Sequence, residues 1–246
     1  MYKRILTSAL AVFLISATCV SKDNVTLAGN VILPRPAGIE ILDGAYIFTG
    51  EPTVKVARKK GPAESYTLEI SEKGVKILAA DDAGEFYARQ SLEQMIRAAK
   101  ESNGQVSLQC QIIEDYPRFP YRGLHIDVSR HFYSIDFLKK QVDAMAMFKM
   151  NRLHLHLTDA AGWRMEIESW PRLTEYAAWR PEANWKAWWN GDRAYVEEGT
   201  PGAYGGYYTK EELKSLVEYA AERHITVIPE IEMPGHSEEV LAAYPE

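Results

Sequence analysis

Apolar positions along this chain follow two different periods in two successive regions. In the first, Tyr66, Leu68 and Ile70 alternate with Thr67, Glu69 and Ser71, the period of two that turns one face of a strand into a core. Glu72-Lys73-Gly74 supplies a turn, and Val75 to Leu78 returns as the second strand of a hairpin. Phe86 to Ala99 changes to helical spacing, with Leu92, Met95, Ile96 and Ala99 on one face. Val106 to Ile113 is strand-like again. Ahead of these lie a polar linker, Ser21 to Asn30, and an extended entry, Val31 to Pro36. The whole predicts a small α+β domain over residues 30–118. It is closed by Asp115-Tyr-Pro-Arg-Phe-Pro120, because two prolines so close together stop regular structure.

After Tyr121 short strands alternate with helices. Leu124 to Val128, Leu153 to Leu157 and Thr226 to Ile231 are strands. Between the first two, Ser134 can cap a helix with Leu138, Val142, Met145 and Phe148 on its apolar face. Between the last two, Thr209-Lys-Glu-Glu212 is a capping box leading into a helix with Leu213, Leu216, Val217 and Ala220 inward. The order βαβαβ predicts a parallel sheet. A doubly wound nucleotide-binding sheet has the same order, but no glycine-rich phosphate loop follows the first strand. A long insert, Trp163 to Tyr208, holds all six tryptophans. In a barrel it would lie at the C-terminal rim, where active sites sit.

Composition narrows the partners. The 246 residues carry a net charge of −6 and no basic cluster, so nothing marks a nucleic-acid surface. Lys3 and Arg4, the apolar run Ile5 to Ile15 and the small residues Ser16 to Thr18 form an export signal over residues 1–22. The expected address is that of an exported bacterial protein, in the periplasm or as an outer-membrane lipoprotein. Cys19 follows the small residues and is a candidate lipidation site; ordinary cleavage, leaving no anchor, is the alternative. The other cysteine is Cys110, so no disulfide framework is implied.

Polar residues collect at the C-terminal ends of all three predicted strands. The first offers Asp127, with Arg122 near its start; the second His154, His156 and Asp159; the third Glu230, Glu232 and then His236. Side chains two apart on a strand share a face, so His154 and His156 point together, as do Glu230 and Glu232. Charges aimed into a barrel are unfavourable unless paired or functional. A ring of them at one rim reads as a site.

These motifs carry a resemblance. Tyr121-Arg-Gly-Leu-His-Ile-Asp-Val-Ser-Arg-His-Phe132, Lys149-Met-Asn-Arg-Leu-His-Leu-His-Leu-Thr-Asp159, Gly162-Trp-Arg164 and Pro229-Glu-Ile-Glu-Met-Pro-Gly-His-Ser237 are similar, in order and spacing, to the successive barrel motifs of glycoside hydrolase family 20, the β-N-acetylhexosaminidases. The resemblance spans Pro117 to Ser237, and the preceding domain is similar to that family's non-catalytic α+β domain. It implies an α/β fold: the opening of a (β/α)8 TIM barrel over residues 119–246, truncated after three strands. It implies a partner, a glycan ending in N-acetylglucosamine or N-acetylgalactosamine, and a retaining reaction in which the substrate's acetamido group is the nucleophile. No cofactor or metal is implied. By matching position, Arg122 would hold hydroxyls of the terminal sugar as a planar multi-donor fork. Asp159 and His236 would flank and tune the general acid, and Glu230 would be a barrel carboxylate near the sugar. Glu232 stands where many relatives have Asp and would brace the barrel. Trp163 is the tryptophan expected nearest the sugar; most of the others are expected to pack the insert.

The sequence also departs from the family. Asp159-Ala-Ala-Gly-Trp163 replaces the usual Asp-Asp-Gln-Gly-Trp, which puts support of the loop in question. The adjacent Asp-Glu pair that positions the acetamido group and donates the proton does not occur. The expectation is therefore a fragment that is inactive alone. Two alternatives stand beside it. One is a non-catalytic glycan- or partner-binding module. The other is a metal-dependent amidohydrolase, since His-x-His on a barrel strand with Asp159 or Glu230 can also hold zinc.

Overall fold

The computed structural model describes residues 31–99 and 104–246. The export signal, Cys19 and the linker lie outside the described residues. The first region forms a five-stranded sheet of β1 (Gly38–Phe48), β2 (Val54–Arg58), β3 (Tyr66–Ser71), β4 (Gly74–Ala79) and β5 (Val106–Asp115), in the order β1-β5-β3-β4-β2. β2 runs parallel to β4, and the other pairings are antiparallel. Helix α1 (Asp82–Ala98) covers one face. Leu68, Ile70, Ile77, Leu92, Met95 and Leu108 are buried between them.

Helix α1 begins one turn before the predicted Phe86. The Asp81 carboxylate accepts hydrogen bonds from the backbone N–H groups of Gly84 and Glu64, which caps a first turn too polar to show in the apolar periodicity.

The second region is an α/β layer. Strands β6 (Gly123–Asp127), β7 (Arg152–His156) and β10 (Thr226–Glu230) form a parallel sheet in the order β10-β7-β6. They are level, with Gly123, Arg152 and Thr226 aligned at one end and Asp127, His156 and Glu230 at the other. Helices α2 (Ile135–Met147) and α5 (Lys210–Ala221) bury Leu138, Val142, Met145, Leu216 and Ala220 with Leu153 and Leu155. Both predicted N-caps are present: Ser134 accepts from Phe137 N–H, and Thr209 and Glu212 form the reciprocal capping box. Two positions assigned to the apolar faces are instead exposed. Phe148 is the C-cap of α2 and 40% exposed, and Val217 is 48% exposed; each lies at the edge of its helical stripe, beyond the reach of the sheet.

The insert folds into α3 (Arg172–Glu175), α4 (Trp185–Asn190) and a two-stranded ribbon of β8 (Trp179–Arg180) and β9 (Tyr204–Gly205). A last helix, α6 (Glu238–Ala243), packs on it through Ala243. Arg164 ties this layer to the strand ends. Its guanidinium is fully buried and donates to the carbonyls of Val128, Ser129, Ala161, Ala178 and Gly206. Gly162 makes room for it, because a Cβ there would fall 2.5 Å from the guanidinium. Burial lowers the Arg164 pKa to about 10, with Arg180 adding repulsion.

Candidate active site at the C-terminal strand ends

One face of the three-stranded sheet meets the helices. Strand alternation gives the other face His125, Asp127, His154, His156 and Glu230. At its C-terminal end these side chains form one polar network. The Glu230 carboxylate lies 2.6 Å from Nδ1 of His156, 2.6 Å from Nε2 of His154 and 3.3 Å from Nε2 of His125. His156 reaches on with Nε2 to Oδ2 of Asp159, 3.1 Å away. Asp159 also receives Nδ1 of His236 at 2.5 Å and is ion-paired to Arg130. His236 approaches Glu232 at 3.5 Å through Nε2. Asp127 completes the rim: Oδ1 accepts from the N–H groups of Ser129 and Arg130, and Oδ2 from the Arg130 guanidinium at 2.7 Å.

The charges follow from this geometry. Burial works against a charged Glu230, but a hydrogen bond with neighbouring Glu232, followed by the hydrogen bond and charge of His156 and the hydrogen bond of His125, holds its pKa down to about 2. Burial also opposes a charged His156, yet the hydrogen bonds to Glu230 and Asp159 outweigh it and raise its pKa. The network thus favours an imidazolium between two carboxylates. Two groups within it have the donor types to hold a divalent ion: His125 with His156 and Glu230, and His156 with Asp159 and His236.

Six of the residues singled out in the sequence, Asp127, His154, His156, Asp159, Glu230 and His236, meet here, with Glu232 at the edge. Two do not. Arg122 precedes β6 and so lies at the opposite, N-terminal end of the sheet. Its guanidinium is ion-paired with Glu64 and donates to Tyr87 Oη (3.1 Å), the Phe119 carbonyl (2.9 Å) and the Lys149 carbonyl (2.6 Å). The expected grip on a sugar at the rim does not fit that placement. Trp163 is buried against Leu173, Ala177 and Ala243, and its indole N–H donates to the Met165 carbonyl. That is a packing role, not a sugar platform.

The sequence reading passed over His125, Arg130 and Glu239. His125 is level with His154 across the sheet and visible as the residue two before Asp127. Arg130 follows Asp127 by three, the spacing of a turn that folds a side chain back onto the strand end. Glu239, on α6, is fully buried, and neither carboxylate oxygen has a hydrogen-bond partner in another described residue. Burial, with Asp159 and Glu238 nearby, raises its pKa to about 8.

Comparison with known proteins now bears on this rim. Residues 119–246 match the model of the glycosyl hydrolase family 20 catalytic domain, and residues 47–116 match that family's domain 2. The chain belongs to glycosyl hydrolase family 20.

Among the proteins it resembles is a beta-hexosaminidase of Porphyromonas gingivalis, 42% identical over 207 residues; the match covers 82% of this chain and 24% of that protein. The N,N'-diacetylchitobiase of Vibrio harveyi is 40% identical over 190 residues, covering 77% of this chain and 20% of that protein. In three dimensions the chain is similar to a family 20 exo beta-N-acetylglucosaminidase from Vibrio harveyi solved with N-acetylglucosamine. The TM-score is 0.76 at 31% identity, over 90% of this chain and 39% of that one. It is also similar to a beta-N-acetylhexosaminidase of Bacteroides fragilis, with a TM-score of 0.72 at 32% identity, over 88% of this chain and 48% of that one. The 246 residues therefore span a quarter or less of these curated relatives and under half of the solved ones.

Proposed function

We propose that this chain forms the opening half of the active site of an exo-acting β-N-acetylhexosaminidase. The parallel β6-β7-β10 sheet is read as the first three strands of a (β/α)8 barrel. The substrate is a glycan ending in β-linked N-acetylglucosamine or N-acetylgalactosamine, cleaved with retention and with the substrate's acetamido oxygen as the nucleophile. One observation carries this reading: a carboxylate, Asp159, held at the strand ends between His156, His236 and Arg130. Such a group can modulate a neighbouring proton donor by charge and hydrogen bonding. Arg130 takes the hydroxyl-gripping role first expected of Arg122, since its guanidinium lies at the rim. The donor itself, and the group that orients the acetamide, come from outside these 246 residues, because no adjacent Asp-Glu pair occurs among them.

The test is hydrolysis of nitrophenyl N-acetylglucosaminide by the 246-residue chain and by a longer protein that contains it. Activity confined to the longer protein supports the reading. Turnover by the short chain alone sinks the claim that the donor lies elsewhere, and inactivity of both favours a binding module. The two histidine–carboxylate groups keep a metal-dependent hydrolase as the second reading. Stoichiometric zinc surviving EDTA dialysis would favour it. Export through residues 1–22, with Cys19 as lipid acceptor, is proposed alongside; fatty-acid labelling that persists in Cys19→Ala rules out Cys19 as the acceptor.

A further inference from the structure

The N-terminal ends of the three strands carry a second polar construction, 4 residues down each strand from the rim, or about 13 Å away. At each strand entrance one side chain leaves the α/β layer and contacts the small domain. Before β6, Arg122 pairs with Glu64 and Tyr87. Before β7, Lys149 donates to Asp115 at 2.8 Å and to Tyr66 Oη at 2.9 Å. Before β10, the His224 ring packs on Phe86 of α1 at 5.4 Å between centroids. The entrances are also joined to each other. Arg122 Nε donates to the Lys149 carbonyl, Asn151 bonds the Arg122 N–H through its side chain, and Thr226 N–H donates to the Asn151 carbonyl.

The backbone at two of these points marks the side chains as used. Helix α2 ends with Lys149 N–H donating to Ala146 and Met150 N–H to Met145; α5 ends with His224 N–H donating to Ala221 and Ile225 N–H to Ala220. In both, the residue just past the helix end is left-handed, with φ of 59° at Lys149 and 58° at His224. Glycine fills this position at lowest cost. A lysine and a histidine are strained there, and each spends that strain on a contact with the other domain. Lys149 is also 6% exposed, and burial lowers its pKa although Asp115 raises it. Apolar residues often stabilise as well as a buried ion pair does, so such a pair speaks for a fixed arrangement more than for stability.

We infer that Arg122, Lys149 and His224 are positioning residues: a three-point clamp by which the small domain sets the relative register of β6, β7 and β10, and so of Asp127, His156 and Glu230 at their far ends. The consequence for the rim rests on the reading given above, but the test needs no substrate, so the two can fail separately. It compares Lys149→Gly with wild type in the 246-residue chain, by amide hydrogen exchange and by the ring-nitrogen resonances of His156. Removing a strained lysine for glycine should slow exchange if Lys149 only ends a helix. The clamp requires the opposite: at least tenfold faster exchange in β6 and β7, displaced His156 resonances, and restoration of both in Lys149→Arg. Unchanged or slower exchange with wild-type His156 signals overturns it. If Lys149→Gly does not fold, the charge-free pair Lys149→Met with Asp115→Leu decides. Displaced His156 resonances in that folded pair support the clamp, and wild-type resonances overturn it.

Discussion

Asp159 and His236 are in direct contact, with Oδ2 of the carboxylate 2.5 Å from Nδ1 of the imidazole. They come from different strands' ends, 77 residues apart in the sequence (236 minus 159), and Oδ2 of Asp159 also meets His156 and Arg130. One carboxylate oxygen thus gathers three cationic or cation-forming groups.

The rim network should be most stabilising between the ordinary carboxylate and imidazole ranges. Glu230 has a folded pKa near 2 against an ordinary 4.5, so its contribution is complete above 4.5 and lost as pH falls towards 2. His156 is raised from 6.5, so its contribution is complete below 6.5 and lost as pH climbs through the folded value. Melting temperature followed from pH 3 to 9 should therefore peak between about 4.5 and 6.5 relative to His156→Gln. A constant offset between the two proteins across that range would contradict the network as drawn.

Glu239 has the opposite sign. Its pKa of about 8 against 4.5 means that the folded state holds a proton the unfolded state has released. Stability contributed by the neutral acid is full below 4.5 and declines as pH rises through 4.5 to 8. Glu239→Met should be neutral at pH 4 and more stable than wild type at pH 7, by about 1–3 kcal/mol, the penalty of an unpaired buried polar group. Chemical denaturation at the two pH values measures this; equal midpoints at pH 7 would count against it.

Arg164→Lys should be severely destabilising despite keeping the charge. Five carbonyls on four segments accept from this one guanidinium, and an ammonium on a flexible stem cannot reproduce the planar fork. A loss of about 3 kcal/mol or more is expected. Urea unfolding gives the value, and a loss below about 1 kcal/mol would show that water replaces the missing donors.

The two arginines should separate in function. In a protein carrying the complete site, Arg130→Lys should lower kcat/KM on the nitrophenyl glycoside ten- to hundredfold, the worth of about 1.5–3 kcal/mol for a charged hydrogen bond. Arg122→Lys should lower the melting temperature and reduce kcat/KM less than Arg130→Lys does, because Arg122 acts on the rim only through the strand entrances. The reverse pattern would return the sugar-holding role to Arg122.

Much of the α/β layer is legible from local rules. The strands around Leu124, Leu153 and Thr226 and the caps at Ser134 and Thr209 follow from periodicity and capping chemistry. Phe148 and Val217 escape such rules, because how wide a helical stripe is buried depends on what packs against it. Arg122 escapes them for a different reason. Its motif marks it as fixed in place, but which end of a strand a residue serves depends on where that strand begins, and Arg122 immediately precedes β6.

The sequence by itself determined the two regions, the βαβαβ order and the identities of His154, His156, Asp159, Glu230 and His236: period-two spacing puts His154 and His156 on one face, and Asp159, Glu230 and His236 stand in motifs similar to those of the family at the strand ends. Only the tertiary structure decided that the strands lie level, which is what lets Glu230 bridge three histidines. It also decided that Arg130, not Arg122, closes on Asp159, and that Glu239 is buried beside the network. Register and burial are properties of packed elements, and no single segment contains them.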